Sequence, residues 1–179
     1  MASTLTVDNI VGATASDKIY IPGHVIQVVQ DITTDSNSES LAVGVFSAAI
    51  MSASITPQST TSKILILCTL HLTTGNQTAG AAALLKRGST SICIGDANGN
   101  MARASGGGTG GNISSRLISN IQMTFLDSPS TVGATTYTAH GKHGYNSTQT
   151  LYWNRELDTT NGPQVSRVPS TLTLMEIAQ

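Results

Sequence analysis

Residues 63–72 read KILILCTLHL, and this stretch decides the fold class. Its even-numbered residues are all apolar, whereas its odd-numbered residues include Leu65 and Leu67 and then turn polar at Thr69 and His71. Side chains of a β-strand alternate between two faces, so one face of this strand is predicted to lie in a core along its whole length. The other face is predicted to be covered at one end only, by a loop or by a subunit contact.

Other segments repeat this alternation between turn clusters. Residues 115–127 read as a half-buried antiparallel strand, and Ala81–Arg87 with Thr90–Gly95 reads as a hairpin, although residues 82–87 also suit one helical turn. Roughly eight to ten short strands are predicted in all, which is typical of an all-β antiparallel sandwich or jelly roll. The polar stretch 31–40 and the glycine-rich stretch 96–112 are predicted to be loops.

The composition favours one compact domain with uncharged surfaces. The 179 residues are 39% hydrophobic and only 11% charged, with 9 basic and 10 acidic residues. Ser and Thr make up about a quarter of the chain, well above ordinary usage. This balance offers no basic surface for nucleic acid, and no apolar run approaches the roughly 20 residues of a membrane span, so neither nucleic acid binding nor membrane insertion is predicted. The N-terminus lacks the pattern of a secretory signal.

The first 22 residues differ from the rest. Leu5, Val7 and Ile10 are spaced along a short extended segment that is too small to form a core alone. Residues 1–22 are therefore predicted to be an attachment arm that pairs with its own body or with another subunit. Residues 23–179 are predicted to be the β-jelly-roll head.

No metal or cofactor site is predicted. Cys68 and Cys93 lie in strand-like runs, as two buried thiols or as a disulfide, and two cysteines cannot complete a Cys-only zinc site. His140 and His143 are three residues apart, so in a strand they point to opposite faces. The motif GGGTGG at 106–111 contains the glycine spacing of a dinucleotide loop but lacks the strand before it and the helix after it.

No catalytic residues are predicted either. Glu156 and Asp158 share a face if that stretch is extended, and they are the carboxylates to consider for glycoside cleavage. Hydrolysis needs two carboxyl groups on opposite sides of a sugar at a defined separation, and nothing in the sequence indicates that arrangement. We therefore expect a protein that is not an enzyme.

The best candidate for a binding surface lies within residues 143–163. Tyr145, Tyr152 and Trp153 occur there beside Arg155, and aromatic faces next to guanidinium and amide donors suit sugar rings. These four residues are the predicted receptor-binding residues. Two alternatives remain: the single tryptophan caps the core, or the stretch is a subunit interface.

Four pieces of sequence carry a family resemblance. They are STLTVDNIVG (3–12), IPGHVIQVVQ (21–30), FLDSPSTVGATTYTAHG (125–141) and STLTLMEIA (170–178). Together they resemble small tail-fibre and related virion proteins of bacteriophages, especially marine and cyanobacterial phages. The resemblance implies an N-terminal attachment arm followed by a trimeric jelly-roll head, similar to the tumour-necrosis-factor and complement-head folds.

The resemblance also implies a role and partners. The chain is expected to be located in a virion as a short tail fibre or tip, a homotrimer whose arm binds other virion proteins. Loops 96–114 and 143–163 would contact the host surface, which includes cell-surface glycan as a partner. The alternative is a capsid decoration or cement protein that uses the arm and the face of strand 63–72, and a polysaccharide depolymerase is the less favoured third reading.

Overall fold

The computed structural model describes residues 21–76, 78–108 and 116–179, and these residues form β-strands and no helix. The predicted arm residues Leu5, Val7 and Ile10 lie outside the described residues. In the three described ranges, no helix meets the length and hydropathy that a membrane crossing requires. The strands are β1 (Val25–Thr33), β2 (Asn37–Leu41), β3 (Met51–Ile55), β4 (Lys63–Thr74), β5 (Ala81–Arg87), β6 (Thr90–Ile92), β7 (Gly106–Gly107), β8 (Ser119–Asp127), β9 (Thr135–His143), β10 (Gln149–Trp153) and β11 (Ser170–Ile177).

Sheet I is built around β4, the longest strand. One edge of β4 pairs with β8. Its other edge is shared by two strands placed end to end: β11 pairs with Lys63–Thr69, and β10 pairs with Leu72–Thr74. β1 then extends the sheet beyond β11, and β2 extends it beyond β10. All these pairings are antiparallel.

Sheet II has the order β3-β9-β5, and the free edge of β5 is again shared by two short strands. β6 pairs with Leu85–Arg87 through the predicted hairpin, and β7 pairs with Ala82 and Ala83. The hairpin turns at Gly88, whose φ of 55° is a backbone conformation that glycine adopts without strain.

The order of the main strands is that of a jelly roll. Without the short strands β2, β7 and β10, sheet I reads β1-β11-β4-β8 and sheet II reads β3-β9-β5-β6. Apart from the β5–β6 hairpin, which stays in sheet II, successive main strands pass from one sheet to the other, as in the double-sheet jelly-roll architecture. The predicted all-β antiparallel sandwich is confirmed.

The core lies between the sheets and follows the predicted alternation. Ile64, Ile66, Leu70 and Leu72 are completely buried, and Cys68 is 3% exposed. Full burial of such a side chain contributes about 1.5–3 kcal/mol, so this single strand face supplies a large share of the hydrophobic stabilisation. Sheet II contributes mainly Tyr137, Met51 and Leu85.

Two loop predictions need correction. Residues 31–40 are mostly strand, because β1 runs on to Thr33 and the polar residues from Asn37 form the edge strand β2 against β10. Within the glycine-rich stretch, Gly106 and Gly107 form β7. A Cβ at Gly106 would lie 2.8 Å from Cγ2 of Ile121, so glycine is there because the backbone packs directly on core side chains.

Candidate functional site

The sandwich has two distinct ends. The described chain begins at the proximal end. There the Gly23 amide donates to the Ala178 carbonyl at 2.8 Å, next to the first residues of β1. At the distal end β10 pairs with the last residues of β4. Eleven residues of strand separate Lys63 from Thr74, which at about 3.3 Å per residue places the two ends roughly 36 Å apart. The predicted receptor-binding residues on and after β10 therefore lie far from the point where the chain enters.

The structure brings Tyr152 and Arg155 into contact. The Cζ atom of Arg155 lies 4.7 Å from the centroid of the Tyr152 ring, which is a cation–π distance. Arg155 Nε also donates to the Glu156 carbonyl at 2.9 Å. The guanidinium is thus held in place over the outer face of sheet I.

The other two predicted residues are not part of that contact. Trp153 shares its face of β10 with the fully buried Leu151 and packs against the hydrophobic core, whereas Tyr152 points to the opposite face. Tyr145 follows β9 at the distal end, half-buried, and its amide donates to Nδ1 of His143 at 3.2 Å. The stretch therefore presents Tyr152 and Arg155 on one face and the partly buried tryptophan on the other.

Asn154 fixes the distal end, and the sequence analysis missed it. It is fully buried, with φ at 61°, a region that asparagine tolerates better than most residues. Its amide donates to the His71 carbonyl at 3.0 Å, and its Nδ2 donates to the carbonyls of Thr33 and Asp35 at 2.8 and 3.0 Å. Its Oδ1 accepts from Ser170. The backbone and side chain of this one residue thereby tie β1, β4 and β11 to the end of β10.

The segment between β10 and β11, residues 155–169, is the distal segment. It forms an open cavity of about 380 Å³ at the protein surface. The cavity is lined by Thr159, Thr160, Asn161, Gly162, Val165 and Arg167. Hydroxyl, amide and guanidinium groups dominate this lining, so it offers hydrogen bonds to a polar ligand and little apolar area.

Glu156 and Asp158 lie in the same segment but in different environments. Glu156 is 4% exposed, and its Oε1 accepts from the Ser166 amide at 2.9 Å. Hydrogen bonds from Thr160 and then from Arg116 lower the pKa of Asp158 to about 2. A buried glutamate beside a carboxylate that stays charged does not resemble the open acid–base pair of a glycosidase.

A buried polar network lies at the proximal end. Nη1 of Arg87 donates to both carboxylate oxygens of Asp127 at 2.9 and 2.8 Å, and the Tyr137 hydroxyl donates to Asp127 Oδ2 at 2.7 Å. Burial, and then the bond to Asp127, raises the pKa of Tyr137. Asp127 and Tyr137 are buried and bonded to each other, whereas the Arg87 side chain is 32% exposed, so the ion pair lies at the edge of the core.

The histidines of H-x-x-H point to opposite faces of β9, as predicted. Nδ1 of His140 donates to the Ser47 carbonyl at 2.9 Å, and Nε2 of His143 donates to the Leu41 carbonyl at 2.9 Å. Burial lowers the pKa of His140.

Cys68 and Cys93 are free thiols rather than a disulfide. Among the residues that the structure describes, no three His, Cys, Asp or Glu side chains are grouped as metal ligands.

Comparison with known proteins gives structural neighbours only. No protein-family profile matches the chain, and no curated protein matches it. The whole chain is similar to part of a chain in the structure of infectious bursal disease virus, Gt strain, with 15% identity and a TM-score of 0.44. The Gx strain of the same virus gives 16% identity and a TM-score of 0.43. This chain spans 43% and 42% of those chains, and with TM-scores below 0.5 the matches carry no argument about function.

Proposed function

We propose that this chain is a virion structural protein, a short tail fibre or tip of a bacteriophage, whose head assembles as a homotrimer and contacts the host surface with its distal end. The observation that carries this proposal is the outer face of sheet I. That face is apolar at one end, and among the outward positions of its four main strands only Lys63, the first residue of β4, is charged.

The apolar end of this face is one continuous row. Val28 pairs with Met175, Met175 pairs with Leu65, and Leu65 pairs with Leu126, so four large apolar side chains lie side by side across four strands. Val28 is 55% exposed and Leu126 is 47% exposed. Contiguous exposed apolar side chains of this kind are a feature of interaction surfaces, which supports a subunit contact at this row.

The rest of the face is mostly polar, and its one charged residue is Lys63 at the start of β4. We define the outer face of sheet I by Lys63 and fourteen other outward positions of β1, β11, β4 and β8. They are Val28, Gln30, Ile32, Thr171, Thr173, Met175, Leu65, Leu67, Thr69, His71, Asn120, Gln122, Thr124 and Leu126. Depletion of charge is typical of the centre of a subunit interface, and closed rotational symmetry buries the same face on every copy. The family resemblance favours three copies.

The positions of the two ends of the head support the proposal that the distal end contacts the host. The described chain begins at the proximal end, where residues 1–22 would leave the head as an attachment arm. Tyr152 and Arg155 lie at the other end, roughly 36 Å away along β4. An arm bound to the particle would therefore leave this distal end directed outward, toward a host surface.

The oligomeric state tests the proposal first. Light scattering coupled to size exclusion is expected to give three times the 18.5 kDa chain mass. Leu126→Lys should shift this mass toward the monomer, because a charge would be buried in the apolar row. Val132→Lys is the matched control, since Val132 is 53% exposed but lies in the β8–β9 turn outside the face. A wild-type monomer at all concentrations would contradict the trimer.

Location and host contact need separate experiments. Antibody labelling of purified particles should place the protein at the tail, whereas labelling of the shell would identify it as a capsid decoration protein instead. Binding of the labelled trimer to host cells should weaken on Tyr152→Ala or Arg155→Ala. If alanine at Tyr145, Tyr152, Trp153 and Arg155 together leaves cell binding intact, these residues are not the receptor site.

A further inference from the structure

We infer that the distal segment holds an anion-binding site, formed by Arg155 and Arg167, for an acidic sugar that carries a carboxylate or sulfate group. The identification of this acidic sugar as the host ligand rests on the proposed function. As a binding site, it rests on the geometry of the two arginines and on the open cavity that Arg167 lines.

The two arginines lie directly opposite each other. Arg155 and Arg167 form an isolated antiparallel β-bridge, and the Val168 amide next to it donates to the Asn154 carbonyl at 3.2 Å. This makes them a non-hydrogen-bonded pair, the type in which the Cα atoms are about 4.5 Å apart and the side chains are closest. Opposite residues of such a pair project from the same face.

Two like charges in this position destabilise the segment unless something neutralises them. In the described parts of the chain, the ion pairs are Arg87–Asp127 and Arg116–Asp158, so neither Arg155 nor Arg167 has a carboxylate partner there. The neighbouring Glu156 is buried and accepts from a backbone amide. The pair therefore presents two positive charges that a bound anion would neutralise.

Contacts within the protein use some of the N–H donors of each guanidinium group, and the remaining donors are available to a ligand. Arg155 is fixed by the Tyr152 ring and by the carbonyls of Glu156 and Leu157. Arg167 is exposed and uses its Nη1 on the Ser36 hydroxyl. A guanidinium has five N–H donors, and two of them suit the two oxygens of a carboxylate or sulfate. An anion between the two arginines would thus accept bonds from both.

The open cavity that Arg167 lines suits a sugar as the rest of the ligand. Its volume of about 380 Å³ falls within the range of small-molecule sites. Besides Arg167, its lining offers the hydroxyls of Thr159 and Thr160 and the amide of Asn161. These groups pair with ring hydroxyls, which a free inorganic anion lacks. An acidic monosaccharide unit of a polysaccharide satisfies the arginine pair and the cavity together.

The test compares three polysaccharides by calorimetry with the wild-type protein: heparin as the sulfated probe, polygalacturonate as the carboxylated probe and dextran as the neutral probe. At least one polyanion is expected to bind, with an affinity that falls as salt rises, and dextran is not. Arg167→Gln should weaken that binding about tenfold or more, because a charge-assisted contact is lost. Arg103→Gln is the matched control, an exposed arginine that bonds to the Gly95 carbonyl in another loop.

Three results would overturn the anion site: binding of dextran as strong as that of the polyanions, equal losses for Arg167→Gln and Arg103→Gln, or no binding of either polyanion at low salt. Binding to host cells distinguishes a failure of the anion site from a failure of the proposed function. Cell binding that survives Arg167→Gln removes the acidic sugar as host ligand but keeps the host contact. Polyanion binding by a protein that does not bind host cells supports the anion site and contradicts the host role.

Discussion

The hydroxyl of Ser170 donates a 2.6 Å hydrogen bond to Oδ1 of Asn154, and both residues are completely buried. Asn154→Ala removes this acceptor and the two donor bonds to Thr33 and Asp35, and it places alanine at a positive φ. Buried partners left unsatisfied cost about 1–3 kcal/mol each before relaxation, so we expect the free energy of unfolding to fall by about 2–4 kcal/mol.

Urea unfolding followed by circular dichroism measures this effect. Asn146→Ala, at an exposed position in the loop before β10, is the control and should change the unfolding free energy by less than about 0.5 kcal/mol. Asn154→Gly keeps the backbone conformation and should lose less than alanine. Equal stability of the Asn154→Ala and Asn146→Ala variants would show that the bonds do not hold the distal end.

Tyr137 predicts a loss of stability at alkaline pH. Its pKa is raised in the folded state above the ordinary value of 10.0, by burial and by its bond to Asp127. Below pH 10 the tyrosine is protonated in both states, and its contribution is fully present. As pH rises above 10 the unfolded state loses the proton first, so the free energy of unfolding falls.

Tyr137→Phe should therefore lower stability at pH 7 by about 1 kcal/mol, through the lost hydrogen bond. It should also make the decline above pH 10 shallower. Unfolding midpoints between pH 7 and 11 measure both effects, with Tyr145→Phe as the control in a distal loop. A decline that is as steep without Tyr137 would have another cause.

His140 predicts a loss of stability in acid. Burial lowers its pKa below the ordinary value of 6.5, so at lower pH the unfolded state takes up the proton more readily than the folded state. Stability is present above pH 6.5 and falls below it. Thermal unfolding at pH 5 and pH 7.5 should show a smaller difference for His140→Asn than for the wild type, with His24→Asn, at a half-buried histidine before β1, as the control.

The two thiols should react very differently. Burial raises the pKa of Cys68 to about 12, whereas Cys93 is only half-buried. Since the thiolate is the reactive form, a thiol reagent at pH 8 should modify Cys93 in the folded protein and Cys68 only after denaturation. Mass spectrometry of the labelled peptides identifies each site. A protein that needs reduction before either residue reacts would contain the disulfide that the structure lacks.

The sequence predicts the fold well where hydrophobic alternation is strong. In β4 the apolar even-numbered residues identify the core face, because a strand places every second side chain on the same side. The same argument fails for β2, where Leu41 is the only large apolar residue and the edge strand is held by backbone bonds to β10. It also fails for β7, whose two glycines have no side chain to alternate.

For the candidate site, the sequence predicts the two faces of β10 but not the contacts of the distal segment. Leu151 is apolar, so strand parity alone assigns Trp153 to the core face and Tyr152 to the outer face. The pairing of Arg155 with Arg167 could not be predicted from the sequence, since it depends on how an irregular segment returns to the sheet. The role of Asn154 depends on carbonyls that are distant in sequence, and no local pattern indicates them.

The bond between Asn154 and Ser170 also makes the length of the distal segment independent of the sandwich. It fastens the departure and the return of the distal segment at one point, while β10 and β11 continue along β4 on either side of it. A longer insertion between these residues adds only about 0.6 kcal/mol of closure entropy for each doubling of its length. Selection can therefore rewrite or lengthen residues 155–169 to follow a changing target, while the register of the sandwich stays as it is.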